Sequence, residues 1–160
     1  MNAAVLTVSD GVHAGVREDT SGDTLEEMLR DDGFEVSRRV VPDEREAIGS
    51  ALDELCRDAA LVLTTGGTGF APRDVTPEAT RPRLEREAPG IAEAIRADAR
   101  ARTPHALLSR GLAGLVGATL VVNLPGSTGG CRDGYAVLRA ALRHGLELAA
   151  GDTATRHRQT

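Results

Sequence analysis

Ala60-Leu61-Val62-Leu63-Thr64-Thr65-Gly66-Gly67-Thr68-Gly69-Phe70 is the stretch that decides the fold. A short, uninterrupted apolar run that breaks into three glycines reads as a buried parallel strand feeding a glycine loop. Upstream, Asp43-Glu44-Arg45-Glu46 carries a capping-box-like pattern, and Ala47, Ile48, Ala51, Leu52 and Leu55 repeat at helical spacing. Helix, strand and loop make one α/β unit, and the rest of the chain can be tested for others.

Toward the N-terminus, residues 3 to 8 (Ala-Ala-Val-Leu-Thr-Val) form a second apolar run, ending in Ser9-Asp10-Gly11. Asp19-Thr20-Ser21-Gly22 offers several capping side chains for a helix over about 21–32, with Leu25, Met28 and Leu29 on one face and Gly33 as its stop. Phe34 to Val41 is β-branched and ends at Pro42, and Arg38 and Arg39 mark it as an edge strand or one with an exposed end.

Toward the C-terminus, Thr76-Pro77-Glu78 opens a helix, and Pro82 and Pro89 divide residues 76 to 102 into two. The second carries Ile91, Ala94, Ile95 and Ala99 on one side. Leu108 to Gly117 and Thr119 to Leu124 meet at Gly117-Ala118 as a hairpin, which reverses one strand. Pro125 to Gly130 is a small-residue loop before a helix through Tyr135 and Leu146, and Gly151 to Thr160 is a polar tail. The pattern predicts a three-layer α/β/α fold over residues 1–150. Its sheet is mostly parallel, with one antiparallel strand and right-handed crossovers.

The composition narrows the function. The 160 residues contain 41% apolar and 27% charged side chains, the proportions of an ordinary globular domain. A net charge of −5 and three aromatic residues argue against a nucleic-acid surface. All 19 basic residues are arginine, so neither Schiff-base chemistry nor a P-loop lysine is available. Cys56 and Cys131 fit no metal or disulfide framework, and no apolar run approaches the roughly 20 residues of a membrane helix. A cytoplasmic protein is the expectation.

Ligands of such sheets bind beyond the carboxyl ends of the strands. The loops expected there are Ser9 to Ser21, Thr65 to Thr76 and Pro125 to Gly130, with Asp43 at a fourth strand end. In Thr65-Gly66-Gly67-Thr68-Gly69, N–H groups can close on an anion without Cβ interference, or the glycines can simply serve a tight turn. Pro72 stands where a dinucleotide fingerprint needs its third glycine. Asp74, beside this loop, fits a bridging Mg²⁺ or a cap for the following helix, and Asp43 has the same two readings. Ser127 and Thr128 suit either anion binding at a helix N-terminus or capping. Ser109 and Arg110 can supply a hydroxyl and a guanidinium to the same ligand, or Arg110 can pair with a surface acid. His13, His105, His144 and His157 lack ligand spacing, and the last two read as surface residues.

Six ordered stretches carry a family resemblance: Leu6-Thr7-Val8-Ser9-Asp10, Asp19-Thr20-Ser21-Gly22, Val41-Pro42-Asp43-Glu44, Thr64 to Thr80, Leu108-Ser109-Arg110, and Asn123-Leu124-Pro125-Gly126-Ser127. Together they resemble the molybdopterin-binding family of the bacterial MoaB and MogA proteins and the G domain of gephyrin, across roughly residues 5 to 148. The resemblance implies a three-layer fold, usually a homotrimer, and a role in molybdenum cofactor biosynthesis. It implies either Mg-ATP-dependent adenylylation of molybdopterin or, alternatively, a non-catalytic molybdopterin-binding protein. The family's two functional aspartates fall on Asp43 and Asp74, as catalytic residues and Mg²⁺ ligands. Its pterin and phosphate contacts fall on Thr65, Gly66, Gly67, Thr68, Gly69 and Ser109. Ser9, Asp10, Thr76, Arg110, Pro125, Gly126 and Ser127 complete the expected substrate-binding set. Molybdate insertion then falls either to this chain or to a separate molybdate-inserting partner protein. The motif Pro72-Arg73-Asp74-Val75-Thr76-Pro77-Glu78 is intact, whereas Pro125 to Cys131 resembles the MoaB branch.

Overall fold

Strand β1 (Asn2–Val8) lies at the pivot of the sheet, with a parallel strand on each side. In the computed structural model, which describes residues 1–151, it leads into a one-turn helix α1 (Asp10–His13) and then α2 (Thr20–Asp31). There follow β2 (Glu35–Val41), α3 (Arg45–Leu55), β3 (Leu61–Thr65) and α4 (Thr76–Thr80), which continues as a 3₁₀ turn over Arg81–Arg83. The second half holds β4 (Arg86–Glu87), α5 (Pro89–Arg100), β5 (Ala113–Val116), β6 (Thr119–Leu124) and α6 (Thr128–Ala149). The tail expected after Gly151 lies outside the described residues.

The sheet order is β2-β1-β3-β6-β5-β4. Strands β2, β1, β3 and β6 are mutually parallel, and β5 pairs antiparallel with both β6 and β4. One strand is therefore reversed, as the hairpin at Gly117-Ala118 predicts. Side chains alternate between two apolar layers. Ala3, Val5, Leu61, Leu63, Val122 and Leu124 pack against α2, α5 and α6, while Leu6, Val62 and Val121 pack against α3 and α4. Leu61, Val62 and Leu63 have no exposed surface, which is worth about 1.5–3 kcal/mol for each side chain. β2 alternates exposed and half-buried positions, as suits the edge strand its two arginines predict. Among the described residues no helix is long and apolar enough to cross a membrane.

The chain leaves β1 toward β2 over one face and returns from β2 to β3 over the other. The strand order thus reverses at β1, and a crevice opens beyond the carboxyl ends of β1 and β3. All four parallel strands deliver their following loops to this rim.

Three local features differ from the sequence reading. The loop after β1 contains α1, which Ser9 caps by accepting the Val12 N–H at 3.2 Å. β5 begins at Ala113 rather than near Leu108, because Pro104–Leu108 coil as a 3₁₀ turn capped by Thr103. β4, only two residues long, leaves no periodic signal in the sequence. Capping is also ruled out as the role of both aspartates: α3 has Glu44 and α4 has Val75 at its N-cap, neither with a side-chain cap bond. Both carboxylates are engaged elsewhere.

Candidate functional site

The glycine loop after β3 is held by its carbonyls. Thr76 Oγ1 donates to the Gly66 carbonyl at 2.9 Å and the Thr76 N–H to that of Gly67 at 3.0 Å. The Arg110 N–H donates to the Thr68 carbonyl at 2.9 Å and Arg110 Nε to that of Gly69 at 2.8 Å. Four consecutive carbonyls are thereby tied to the protein. Among the described residues, the N–H groups of Gly67, Thr68 and Gly69 donate to none. A run of unpaired backbone donors in a glycine turn is an anion-binding concavity. Gly66 and Gly67 have φ of +99° and +67°, and a Cβ on Gly66 would lie 2.3 Å from the Val8 carbonyl oxygen. The turn therefore requires glycine at Gly66 for space as well as conformation.

Asp43 and Asp74 flank this loop. Asp43 Oδ2 accepts the Asp10 N–H at 2.8 Å, leaving Oδ1 toward Gly67, where an added Cβ would come within 3.3 Å. Asp74 Oδ2 accepts the Ala71 N–H at 3.1 Å and sits 2.9 Å from the corresponding point on Gly69. Each carboxylate thus has one oxygen anchored by a backbone amide and one left open. Partial burial pushes the Asp43 carboxyl above its ordinary value, and the charges of Asp10 and Asp74 push the same way, against the Asp10 N–H and Arg73. A divalent cation would relieve that repulsion.

The donor set fits Mg²⁺, which takes one or two carboxylates together with substrate phosphates rather than a full protein cage. Among the described residues no group of three or more His, Cys, Asp or Glu could hold a metal by itself. The open oxygens of Asp43 and Asp74 are the atoms that would hold the ion, beside amides suited to a phosphate.

Two cavities adjoin here. One, of about 420 Å³, is lined by Ser9, Asp43, Thr65 and Gly66; the other, of about 660 Å³, by Gly69, Ser109, Pro125, His105 and Ile95. Gly67, Asp74, Gly126 and Ser127 line both. The structure therefore brings most of the expected residues to these two cavities, whereas Asp10, Thr76 and Arg110 line neither, and several have structural duties. Ser127 caps α6 by accepting the Gly130 N–H at 3.1 Å. Thr65 is buried, its hydroxyl within 3.0 Å of Ser21 Oγ and 2.9 Å of the Pro125 carbonyl oxygen. Thr76 is fully buried behind the loop. Arg110 is committed to the loop, to the Asp74 carbonyl at 2.8 Å and to Glu78. His13 and His144 are exposed, and His157 lies outside the described residues.

Sequence reasoning missed Arg73, which grips Asp10 with Nε at 2.7 Å and Nη2 at 2.9 Å. It also missed Asn123, a buried hub of β6. Its amide donates to Thr64 at 3.0 Å and Thr80 at 3.2 Å, and its carbonyl accepts the Leu112 N–H at 3.1 Å. Asn123 falls at a buried position inside an apolar strand, which could have flagged it.

Fold and rim together define an α/β protein whose loops at the strand carboxyl ends offer unpaired amides suited to an anionic ligand. Residues 4–144 match the family described as "Probable molybdopterin binding domain", and the chain belongs to that family. It is 41% identical over 152 residues to the Drosophila melanogaster "Molybdenum cofactor synthesis protein cinnamon", covering 92% of this chain but only 25% of that relative's length. It is 36% identical over 157 residues to a Helicobacter pylori (strain J99) protein named molybdopterin adenylyltransferase, covering 95% of this chain and 89% of the other. The crystal structure of the molybdopterin biosynthesis enzyme MoaB from Thermus thermophilus superposes with a TM-score of 0.88 at 45% identity, covering 94% of this chain and 96% of that one. These relatives are proteins of molybdenum cofactor biosynthesis.

Proposed function

We propose that the chain is a molybdopterin adenylyltransferase, joining the phosphate of molybdopterin to the adenylyl group of ATP and releasing pyrophosphate. The observation that carries this reading is the set of unpaired amides at Gly67, Thr68 and Gly69, flanked by two carboxylates that each keep one oxygen open. The nucleophile is a phosphate oxygen, already anionic, so no strong general base is needed, and positioning with charge neutralisation supplies the acceleration. Mg²⁺, when bound, would neutralise charge on the triphosphate and on the leaving pyrophosphate.

The chain's own residues do the rest. The loop amides hold a phosphate by neutral donors, and Thr76 and Arg110 keep those amides aimed outward by tying the carbonyls behind them. The two adjoining cavities give room for two substrates meeting at Gly67 and Gly126. The 35–36% identity to named adenylyltransferases over most of the chain supports the same reading. A homotrimer belongs to this proposal as well.

Asp43→Ala and Asp74→Ala test it. Both variants are expected to bind molybdopterin with unchanged affinity and to lose about 10³-fold in turnover, equivalent to about 4 kcal/mol of transition-state stabilisation. Full activity in either purified variant would refute the metal-holding role.

A further inference from the structure

Asp10 and Asp43 stand at matching places, each two residues beyond the paired strand ends Val8 and Val41. Each accepts the other's backbone N–H: Asp10 to Asp43 Oδ2 at 2.8 Å, and Asp43 to Asp10 Oδ1 at 2.9 Å. The contact joins segments 33 residues apart. Arg73 then crosses from the third loop and closes a two-pronged pair on Asp10, using Nε and Nη2. Arg73 is the residue next to Asp74. A chain of contacts therefore runs from Asp43 through Asp10 and Arg73 to the backbone that bears Asp74.

Both oxygens of Asp10 are engaged in this chain, so the side chain is poorly placed to take a ligand itself. The pair is about half exposed, at 58% for Arg73 and 45% for Asp10, and such pairs contribute little to stability. What it does supply is geometry. A planar guanidinium fork fixes both distance and orientation, which a lysine's point charge does not.

We infer that the Asp10–Arg73 pair is a positioning brace that sets the separation of the open oxygens of Asp43 and Asp74. The inference rests on the proposed function in taking those oxygens as the cation's ligands. Partners that orient a ligating carboxylate change metal affinity without touching the metal.

The test uses the full chain with Arg73→Gln, Arg73→Lys, Asp10→Asn and the Arg73→Gln/Asp10→Asn double variant. Mn²⁺ affinity is read by electron paramagnetic resonance in the presence of α,β-methylene-ATP, and molybdopterin affinity is read separately. Each of Arg73→Gln and Asp10→Asn is expected to weaken Mn²⁺ about tenfold. The double variant should lose no more than either single, because both break one unit. Arg73→Lys should fall between wild type and Arg73→Gln, with molybdopterin affinity and unfolding midpoint unchanged. Wild-type Mn²⁺ affinity in Arg73→Gln, or multiplied losses in the double variant, would overturn the brace. If the wild-type chain binds no Mn²⁺, the metal part of the proposed function falls and hydrogen exchange decides the brace. Faster exchange of the Asp10 and Asp43 amides together in Arg73→Gln sustains it, and unchanged protection overturns it.

Discussion

Arg110 Nε lies 2.8 Å from the carbonyl oxygen of Gly69, 41 positions away in the chain. The same guanidinium reaches the carbonyl of Asp74 and pairs with Glu78, so one side chain holds both the glycine loop and the backbone of a candidate metal ligand. Arg110→Lys keeps the charge but cannot make the three-way contact. It is expected to lower the turnover of adenylyl transfer about 10²-fold, the scale of a misplaced reacting group. Arg110→Ala should also destabilise the fold by about 1–3 kcal/mol. Steady-state kinetics and urea unfolding measure the two effects; unaltered kinetics in the lysine variant would contradict the strut.

The Glu78 carboxyl answers to the same contact. Burial pushes its pKa up, but the Arg110 hydrogen bond, a hydrogen bond from its own backbone N–H and the charges of Arg110 and Arg45 together leave it below the ordinary carboxylate value. A carboxylate with a depressed folded pKa stabilises the protein above its unfolded value, and that contribution is lost as pH falls through the folded one. Thermal unfolding followed from neutral to acid pH should therefore show a steeper acid limb in wild type than in Glu78→Gln. Identical slopes would show that the pair adds nothing to stability.

Gly66 is closed to any side chain, since φ is +99° and a Cβ would fall 2.3 Å from the Val8 carbonyl oxygen. Gly66→Ala combines left-handed strain of about 1–3 kcal/mol with a backbone clash, so a total loss of about 3 kcal/mol or more is expected in urea unfolding. Gly145→Ala is the control. That glycine lies within α6, with nothing within 4 Å of an added Cβ, and the variant should gain roughly 0.5–1 kcal/mol. Equal responses at the two positions would contradict the described turn.

Much of this architecture is legible in the sequence because its signals are local. The apolar run Leu61 to Leu63, the glycines that follow, and the turn at Gly117-Ala118 each encode their element within a few residues. Elements without such a signal escape a sequence reading: β4 forms only because Arg86 and Glu87 meet Leu115 and Gly114. The candidate site divides the same way. Asp43 and Asp74 can be placed at strand ends, but local spacing also allows both to be helix caps. What separates those readings is non-local: the Asp10 N–H draws in one oxygen of Asp43, and α3 starts without a side-chain cap. Arg110 shows the limit most clearly. Its sequence neighbourhood allows a ligand contact or a surface pair, whereas its role depends on carbonyls 36 and 41 positions away.

The proposed joining of two phosphates at this rim is the activity on which the kinetic expectations depend. The purified wild-type chain incubated with molybdopterin and Mg-ATP should form adenylylated molybdopterin and pyrophosphate in equal amounts, followed by chromatography and a pyrophosphate assay. Tight capture of molybdopterin with ATP left intact would contradict catalysis and leave a protein that binds the pterin without transforming it.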